Sequence, residues 1–208
     1  MSSVSGLLLA IDTTSESASI ALAEGERVLE QVALHSPDGF AHVLFGEIER
    51  LLSRHGLKIT DVEGFAAAAG PGSFTGVRVG LTAAKGLAEA TQRKVVAVSN
   101  LQALAWFGTK ALRAPVIDAR RGEIFGAVYD AELKLVADEV VMPYEEWFRT
   151  LPAGDVELIT QQPPRELAGA VAHIAAGRFA AELGQDPASI DANYVRRSDA
   201  ELMWRDKV

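Results

Sequence analysis

The segment Gly70-Pro71-Gly72-Ser73-Phe74-Thr75-Gly76-Val77-Arg78 decides how the fold of this 208-residue chain is interpreted. It follows an apolar run, residues 64–69, and precedes a stretch of small residues, 77–90, with helical spacing. This pattern predicts a strand that turns through a glycine loop into a helix. Because a helix begins with unpaired backbone N–H groups, such a junction can bind an anion.

The spacing of the glycine loop matches neither common nucleotide motif. It lacks the Gly-Lys-Ser/Thr of a Walker A loop, and three residues rather than two separate Gly72 from Gly76. Pro71 also removes one N–H donor. Two interpretations stay open, a rigid turn and an anion site. The candidate anion or nucleotide contacts are Asp12, Thr13, Gly70, Gly72, Ser73, Thr75 and Asp118.

Around the loop, strands and helices alternate in the order β-β-β-α-β-α-β-α. A β-β-β meander followed by alternating helices and strands is typical of a mixed α/β layer. The strands are predicted at residues 7–11, 18–23, 28–34, 65–69 and 95–98, and the helices at 40–55 (capped by Gly56), 77–90 and 101–107.

The pattern then begins again after Pro115. An apolar strand ending in an acid, Ile117-Asp118, resembles Ile11-Asp12, and both are followed by further strands. The chain is therefore interpreted as two related halves, residues 1–108 and 109–208, with a tail from about 192 that packs back on the first half. The second half has predicted strands at 116–119, 124–129, 135–141 and 156–160. Its predicted helices are at 144–151 and 166–183, the latter either one helix or two helices divided near Gly177.

The predicted helix at 77–90 is rich in small residues, including glycines. Each glycine in a helix interior lowers helix stability by up to about 1 kcal/mol relative to alanine. Gly80 is one such residue, and its presence predicts close approach by a second helix, either that of residues 40–55 or that of another protomer. The candidate interface residues are His42, Phe45, Glu49, Gly76, Arg78, Gly80, Ala83, Ala84 and Leu87.

Composition excludes several classes of protein. The net charge is −8, so the chain lacks the basic face that grips nucleic acid alone. It has no cysteine, and its four histidines form no H-x-x-x-H pair, so no metal site is predicted. No apolar run is long enough for a membrane span, and the expected location is cytoplasmic. Asp12 and Asp118 either face a cleft or cap turns.

Five segments together resemble one family, the bacterial TsaB (YeaZ) proteins. They are Ile11-Asp12-Thr13, the glycine loop through Gly80, Ala84-Lys85-Gly86-Leu87-Ala88, Val98-Ser99-Asn100-Leu101, and residues 117–125. The closing Tyr194-Val195-Arg196 is similar to the family's terminal Tyr-Leu-Arg. The resemblance implies an actin- and sugar-kinase-like (ASKHA) fold, two duplicated α/β halves with mixed sheets.

The resemblance also implies a function in making threonylcarbamoyladenosine next to the tRNA anticodon. The chain would be a non-catalytic scaffold for a TsaD-like catalytic subunit, with a TsaE-like ATPase in the complex, tRNA contacted indirectly and a homodimer when alone. No metal or cofactor is implied, apart from ATP or ADP at an interface with a partner.

Two departures from the family concern the second half. It is short, and Leu158-Ile159-Thr160-Gln161-Gln162-Pro163-Pro164 lacks the glycine motif expected after a late strand. Two other functions stay open: a small phosphotransferase or ATPase that uses Asp12, Asp118 and the glycine loop, and a metallopeptidase.

Overall fold

The first half of the chain forms a five-stranded mixed sheet in a computed structural model that describes residues 6–195. Its order is β3-β2-β1-β4-β5, with β1 antiparallel to β2 and parallel to β4. The central strand β1 has almost only apolar residues, which suits a strand covered on both faces. The strands are β1 (Leu7–Asp12), β2 (Ser19–Glu24), β3 (Arg27–Ala33), β4 (Gly64–Ala68) and β5 (Lys94–Val98).

Three helices belong to this half, and each boundary has a local cause. The helix α1 (Leu44–Arg54) ends in a Schellman motif, in which Gly56 has φ +68° and Leu57 N–H donates to Leu52 C=O. The Ser73 side chain accepts from Gly76 N–H and caps α2 (Phe74–Thr91). Ser99 caps α3 (Asn100–Ala105) in the same way.

The second half repeats this topology without the last strand. Its sheet has the order β8-β7-β6-β9, with β6 antiparallel to β7 and parallel to β9, as β1 is to β2 and β4. The predicted duplication and fold class are thereby confirmed. The elements are β6 (Leu112–Arg120), β7 (Glu123–Tyr129), β8 (Leu135–Pro143), α4 (Tyr144–Thr150), β9 (Val156–Thr160) and α5 (Ala168–Ala180).

The two halves exchange helices across a shared core. The first-half helix α3 packs on the second sheet, and the second-half helix α5 packs on the first. Their buried residues, among them Leu101, Leu104 and Val171, form one apolar cluster with both sheets. On the outer face of the first sheet, α1 and α2 bury a second cluster around Phe65.

Helix boundaries differ from the sequence predictions in three places. A short 3₁₀ turn, Phe40–His42, precedes α1, so the predicted helix at 40–55 is divided. The helix α2 begins at Phe74, three residues earlier than predicted, because Ser73 caps it. The helix α5 is shorter at both ends than the predicted range 166–183, and it continues through Gly177, so the single-helix alternative is the one observed.

The chain after α5 runs back along the first half. Gln185 pairs with Val95, and the Ile190 side chain is buried in the outer core. Asn193 N–H donates to Ala69 C=O at 2.8 Å. Residues 196–208, where the tail prediction continues, lie outside the described residues. The division at residue 108 remains a prediction.

Candidate functional site

The glycine loop is braced at its first residue, Gly70, by Asn100. Gly70 N–H donates to Asn100 Oδ1 at 2.9 Å, and Asn100 N–H donates to Gly70 C=O at 2.8 Å. Gly70 has φ +97°, a conformation that side chains disfavour. The Asn100 side chain also donates to Thr14 Oγ1. Both backbone polar groups of Gly70 are therefore engaged within the chain.

The other glycines let the loop and α2 pack against the turn between β1 and β2. A Cβ on Gly76 would lie 2.0 Å from Thr13 C=O, and one on Gly80 would lie 2.8 Å from Thr13 Oγ1. A Cβ on Gly72 would likewise lie 2.7 Å from Thr14 C=O. The expectation that Gly80 admits a second helix is thus corrected, because the neighbour that Gly80 admits is this turn.

Asp12 is buried at the end of β1 and its pKa is raised. Its Oδ1 accepts from Thr14 N–H at 2.9 Å and from Thr14 Oγ1 at 2.6 Å. Oδ2 is buried with no hydrogen-bond partner of normal geometry in residues 6–195. Burial raises the pKa of Asp12 above its ordinary value of 3.8. The hydrogen bonds from Thr14 and from Leu167 N–H lower this pKa, but by less than burial raises it.

The N-terminus of α5 closes over Asp12 and is itself occupied by first-half side chains. Ala168 N–H donates to Ser19 Oγ at 3.2 Å, and Gly169 N–H donates to Gln31 Oε1 at 2.6 Å. These N–H groups could otherwise bind a phosphate. Strands β2 and β3 of the first half supply the acceptors instead, so these two N–H groups are already paired within the chain.

A pH dependence follows from the burial of Asp12. The folded chain binds the Asp12 proton more tightly than the unfolded chain does. Above pH 3.8, the contribution of Asp12 to the free energy of unfolding therefore falls as pH rises. We expect the wild type to gain stability relative to Asp12→Asn as pH falls from about 7 to about 5, since asparagine does not titrate. Urea unfolding of both proteins at several pH values measures this difference, and a pH-independent difference would contradict the assignment.

Asp118 occupies the corresponding place in the second half but is exposed. Its Oδ1 accepts from Arg120 N–H at 2.8 Å, which closes the turn between β6 and β7. Next to this turn a cavity of about 600 Å³ separates the two halves. Neither Asp12 nor Asp118 lines this cavity. Its walls include Gly72, Phe74, Arg120, Arg121, Phe125 and Tyr194.

An apolar groove lies between α1 and α2 on the outer face of the first half. We call it the α1/α2 groove; it has a volume of about 490 Å³. Phe45 and Phe74 are each 56% exposed at its walls, which is unusual for side chains of this size. The guanidinium of Arg78 lies 3.8 Å from the centre of the Phe74 ring. The groove is lined by Ala41, Leu44, Phe45, Phe74, Thr75, Arg78, Val79, Thr82 and Ala83.

The predicted interface residues divide into two groups. His42, Phe45, Glu49 and Arg78 are exposed and Leu87 is half-buried, whereas Gly76, Gly80, Ala83 and Ala84 are buried within the chain. Of the predicted anion contacts, Ser73 and Thr75 are exposed, but Ser73 caps α2 and Thr75 lines the α1/α2 groove. The interface itself stays a prediction, and of the four buried interface residues Ala83 lines the α1/α2 groove.

Sequence analysis missed the side chains that hold the site together. The sequence analysis includes Asn100 only within the segment Val98-Ser99-Asn100-Leu101, although its place directly after Val98-Ser99 leaves a polar residue inside an apolar run. Gln31 lies in a strand, and nothing in the pattern distinguishes it. Glu139, on β8, accepts from Tyr129 Oη at 2.5 Å and from Asn193 Nδ2 at 2.6 Å, and no motif includes it.

Residues 6–195 contain neither a candidate metal cluster nor a candidate membrane-spanning helix. No group of three or more histidine or acidic side chains in this range is close enough to hold a metal ion. No helix in the same range has the length and apolar character needed to cross a bilayer.

A repeated mixed sheet with helices exchanged across a central cleft defines the ASKHA class of α/β proteins. A family model described as "TsaD: tRNA N6-adenosine threonylcarbamoyltransferase" matches residues 32–162. The structure of YeaZ from Pseudomonas aeruginosa superposes with a TM-score of 0.77 at 27% identity, covering 91% of this chain and 99% of that one. A second structure, an uncharacterized P. aeruginosa protein with similarity to peptidase YeaZ, gives a TM-score of 0.79 at 28% identity, over 92% and 100%.

Curated relatives agree with the structural match. The chain is 36% identical over 129 residues to the Escherichia coli "tRNA threonylcarbamoyladenosine biosynthesis protein TsaB", covering 60% of this chain and 55% of that protein. It is 32% identical over 154 residues to the Bacillus subtilis protein of the same name, covering 71% and 67%. The matches thus span between about half and two thirds of these relatives. The chain belongs to the TsaB (YeaZ) family, as its motifs predicted.

Proposed function

We propose that this chain is a non-catalytic scaffold subunit of the machinery that forms threonylcarbamoyladenosine in tRNA. The names of its curated relatives place those proteins in this biosynthesis. The observation that carries the scaffold role is the α1/α2 groove, an exposed apolar surface with two half-exposed phenylalanines. A soluble monomer seldom leaves such a patch without a partner.

The geometry of the interior supports a role without catalysis. Asp12 is fully buried under α5, whereas Asp118 is exposed on a turn, so the two carboxylates do not face one shared cavity. Gly70 and Ser73 use their N–H groups within the chain. A phosphotransferase needs a carboxylate and free donors around the transferred phosphoryl group. The phosphotransferase hypothesis therefore has little support.

The proposed occupant of the α1/α2 groove is the TsaD-like catalytic subunit. Association through apolar side chains such as Phe45 and Phe74 buries area that is otherwise in water, and an arginine such as Arg78 adds polar specificity at the rim. In the absence of that partner, a second copy of this chain would use the same face. A TsaE-like ATPase would join the complex in the cytoplasm.

Contact with tRNA is proposed to be indirect. With a net charge of −8, the chain gains little from phosphate neutralisation, and its partner would supply the basic surface. Any ATP or ADP would occupy the cavity between the halves, where Arg120 and Arg121 are the basic residues of the wall. It would bind there only when a partner completes that wall.

Reconstitution tests the proposed function. The TsaD-like and TsaE-like proteins are incubated with tRNA, ATP and preformed threonylcarbamoyl-AMP, with and without this chain, and the modified nucleoside is quantified. We expect modification only when the chain is present. Equal modification without it would contradict the proposal, and so would ATP turnover by the isolated chain at a rate that accounts for the reaction.

The Asp12→Asn variant separates the scaffold from the phosphotransferase. A scaffold requires only the fold, so we expect this variant to support modification at the wild-type level. A phosphotransferase that relied on the carboxylate would lose at least about a hundredfold in rate, the usual scale for general acid–base or metal-binding carboxylates. The same reconstitution assay, with unfolding midpoints as a control for folding, distinguishes the two outcomes.

A further inference from the structure

The chain after α5 is anchored to the first half through its backbone. We call residues 190–195 the strap. Lys85 Nζ, on α2, donates to Ile190 C=O at 2.8 Å, and Asn193 N–H donates to Ala69 C=O at 2.8 Å. Ala69 directly precedes the glycine loop, so the strap lies against the segment that leads into α2. Residues 192–195 of the strap also line the cavity between the halves.

Glu139, on β8, accepts hydrogen bonds from both halves. Its Oε1 accepts from Tyr129 Oη at 2.5 Å and also from Ser99 Oγ of the first half. Tyr129 is 3% exposed, so its hydroxyl needs an acceptor inside the protein. Burial, and then the charge of Glu139, raise the pKa of Tyr129 above its ordinary value of 10.0, so the hydroxyl keeps the proton that it donates. Two donors on Oε1 fix the carboxylate and leave Oε2 directed at the strap.

The second carboxylate oxygen holds the strap by a side chain. Asn193 Nδ2 donates to Glu139 Oε2 at 2.6 Å. A hydrogen bond to a charged acceptor is stronger than one between neutral groups, and this contact is partly buried, where water competes less. Asn193 is thus held twice, by its N–H on Ala69 and by its amide on Glu139. These two bonds set the position of the next residue, Tyr194.

Tyr194 connects the strap to the α1/α2 groove. Its hydroxyl accepts from Arg78 Nη2 at 3.5 Å, and the same guanidinium lies 3.8 Å from the centre of the Phe74 ring. Arg78 and Phe74 both line the groove. Arg78 forms no ion pair with a carboxylate in residues 6–195. The contacts that orient its guanidinium in this range are therefore those with Tyr194 and Phe74.

We propose that Glu139 and Asn193 are positioning residues for the partner surface: they seat the strap, and the seated strap holds Arg78 across Phe74 at the edge of the α1/α2 groove. This inference rests on the proposed function, because that function assigns the groove to the TsaD-like partner. A long side chain loses rotamer freedom when it enters an interface, which weakens binding. An arginine that is already held in one arrangement has lost part of that freedom beforehand, so the partner binds more tightly.

Hydrogen exchange of the isolated chain tests whether the pair seats the strap. Asn193→Ala removes the side-chain bond but keeps the backbone N–H that donates to Ala69 C=O. We expect this N–H to exchange at least about tenfold faster than in the wild type, after correction for intrinsic rates, because the strap opens more often. Equal exchange in the two proteins would overturn the seating by Glu139.

A reciprocal double variant provides the matched control for this exchange measurement. Asn193→Asp combined with Glu139→Gln keeps the bond with donor and acceptor reversed, while the glutamine oxygen still accepts from Tyr129 and Ser99. We expect the double variant to keep wild-type protection at residue 193, with unfolding midpoints showing that it is folded. Fast exchange in a folded double variant would contradict the assigned bond.

Partner affinity tests whether the seated strap prepares the groove. We expect Asn193→Ala to weaken binding of the TsaD-like partner about fivefold, the scale of ordering one long side chain at an interface. Ser189→Ala is the matched control, since Ser189 is exposed directly before the strap and its hydroxyl donates to Asp186 C=O nearby. It should bind within about twofold of the wild type. Titration calorimetry measures both affinities.

A double-mutant cycle separates positioning from a general loss of structure. If Asn193 acts through Arg78, Asn193→Ala should change affinity by less than about twofold in an Arg78→Ala background. A full fivefold loss in that background, or no loss in the single variant, would overturn this inference and leave the proposed function standing, because the wild type would still bind. If the wild type does not bind the TsaD-like partner, the proposed function fails and this inference fails with it.

Discussion

Replacing Gly76 with alanine is expected to destabilise the chain by about 3 kcal/mol or more, because the new Cβ has no room. It would lie 2.0 Å from Thr13 C=O, a backbone atom of the turn between β1 and β2. Either α2 or that turn must move, and the Thr13 Oγ1 bond to Gly76 C=O, 2.6 Å long, would be lost with it. Urea unfolding measures the change.

Gly86 provides the matched control on the same helix. It is exposed, and a Cβ there meets no atom within 4 Å. Alanine at this position should stabilise the chain by about 0.5–1 kcal/mol, because it reduces the backbone freedom that folding removes. If alanine at Gly76 and alanine at Gly86 changed the free energy of unfolding equally, the account would be contradicted. Glycine at position 76 would then not be required by the close packing of α2 on the turn.

Replacing Phe45 with alanine is expected to weaken binding of the TsaD-like partner about thirtyfold, which corresponds to about 2 kcal/mol for a buried aromatic anchor. Phe45 is 56% exposed at the wall of the α1/α2 groove, so little of its side chain is needed for folding. Titration calorimetry with the purified partner measures the affinity, and unfolding midpoints confirm that the variant is folded.

Phe148 is the matched control for Phe45. It is 48% exposed on α4, a helix of the second half, and it is also an aromatic residue on a helix surface. Phe148→Ala should leave the affinity for the TsaD-like partner within about twofold of the wild type, since scattered surface residues contribute little to one interface. A loss of affinity equal to that of Phe45→Ala would move the interface away from the α1/α2 groove.

The sequence was sufficient for the fold because its signals are local and repeated. Apolar β1, the Schellman glycine at Gly56 and the second Ile-Asp strand each depend on neighbouring residues alone. Together they predicted two halves of the same topology. The boundary error at α2 is also local, because the Ser73 cap extends that helix by about one turn.

The function of the glycines could not be predicted, because it depends on contacts between distant segments. A small residue in a helix indicates close approach but does not name the neighbour. Gly80 was attributed to a second helix, whereas Thr13, 67 residues earlier, lies against it. The same holds for Asn100 and Gln31, which bond to Gly70 and Gly169. Tertiary structure alone brings such pairs together.

Hydrogen exchange on mixing with the TsaD-like partner tests the central claim, that the chain is a scaffold that binds through α1 and α2. The account predicts that exchange slows in Leu44–Arg54 and in the first turns of Phe74–Thr91, where Phe45, Phe74 and Arg78 form the groove. It predicts no change in α4. Protection confined to the second half, or no protection at concentrations that form the complex, would contradict it.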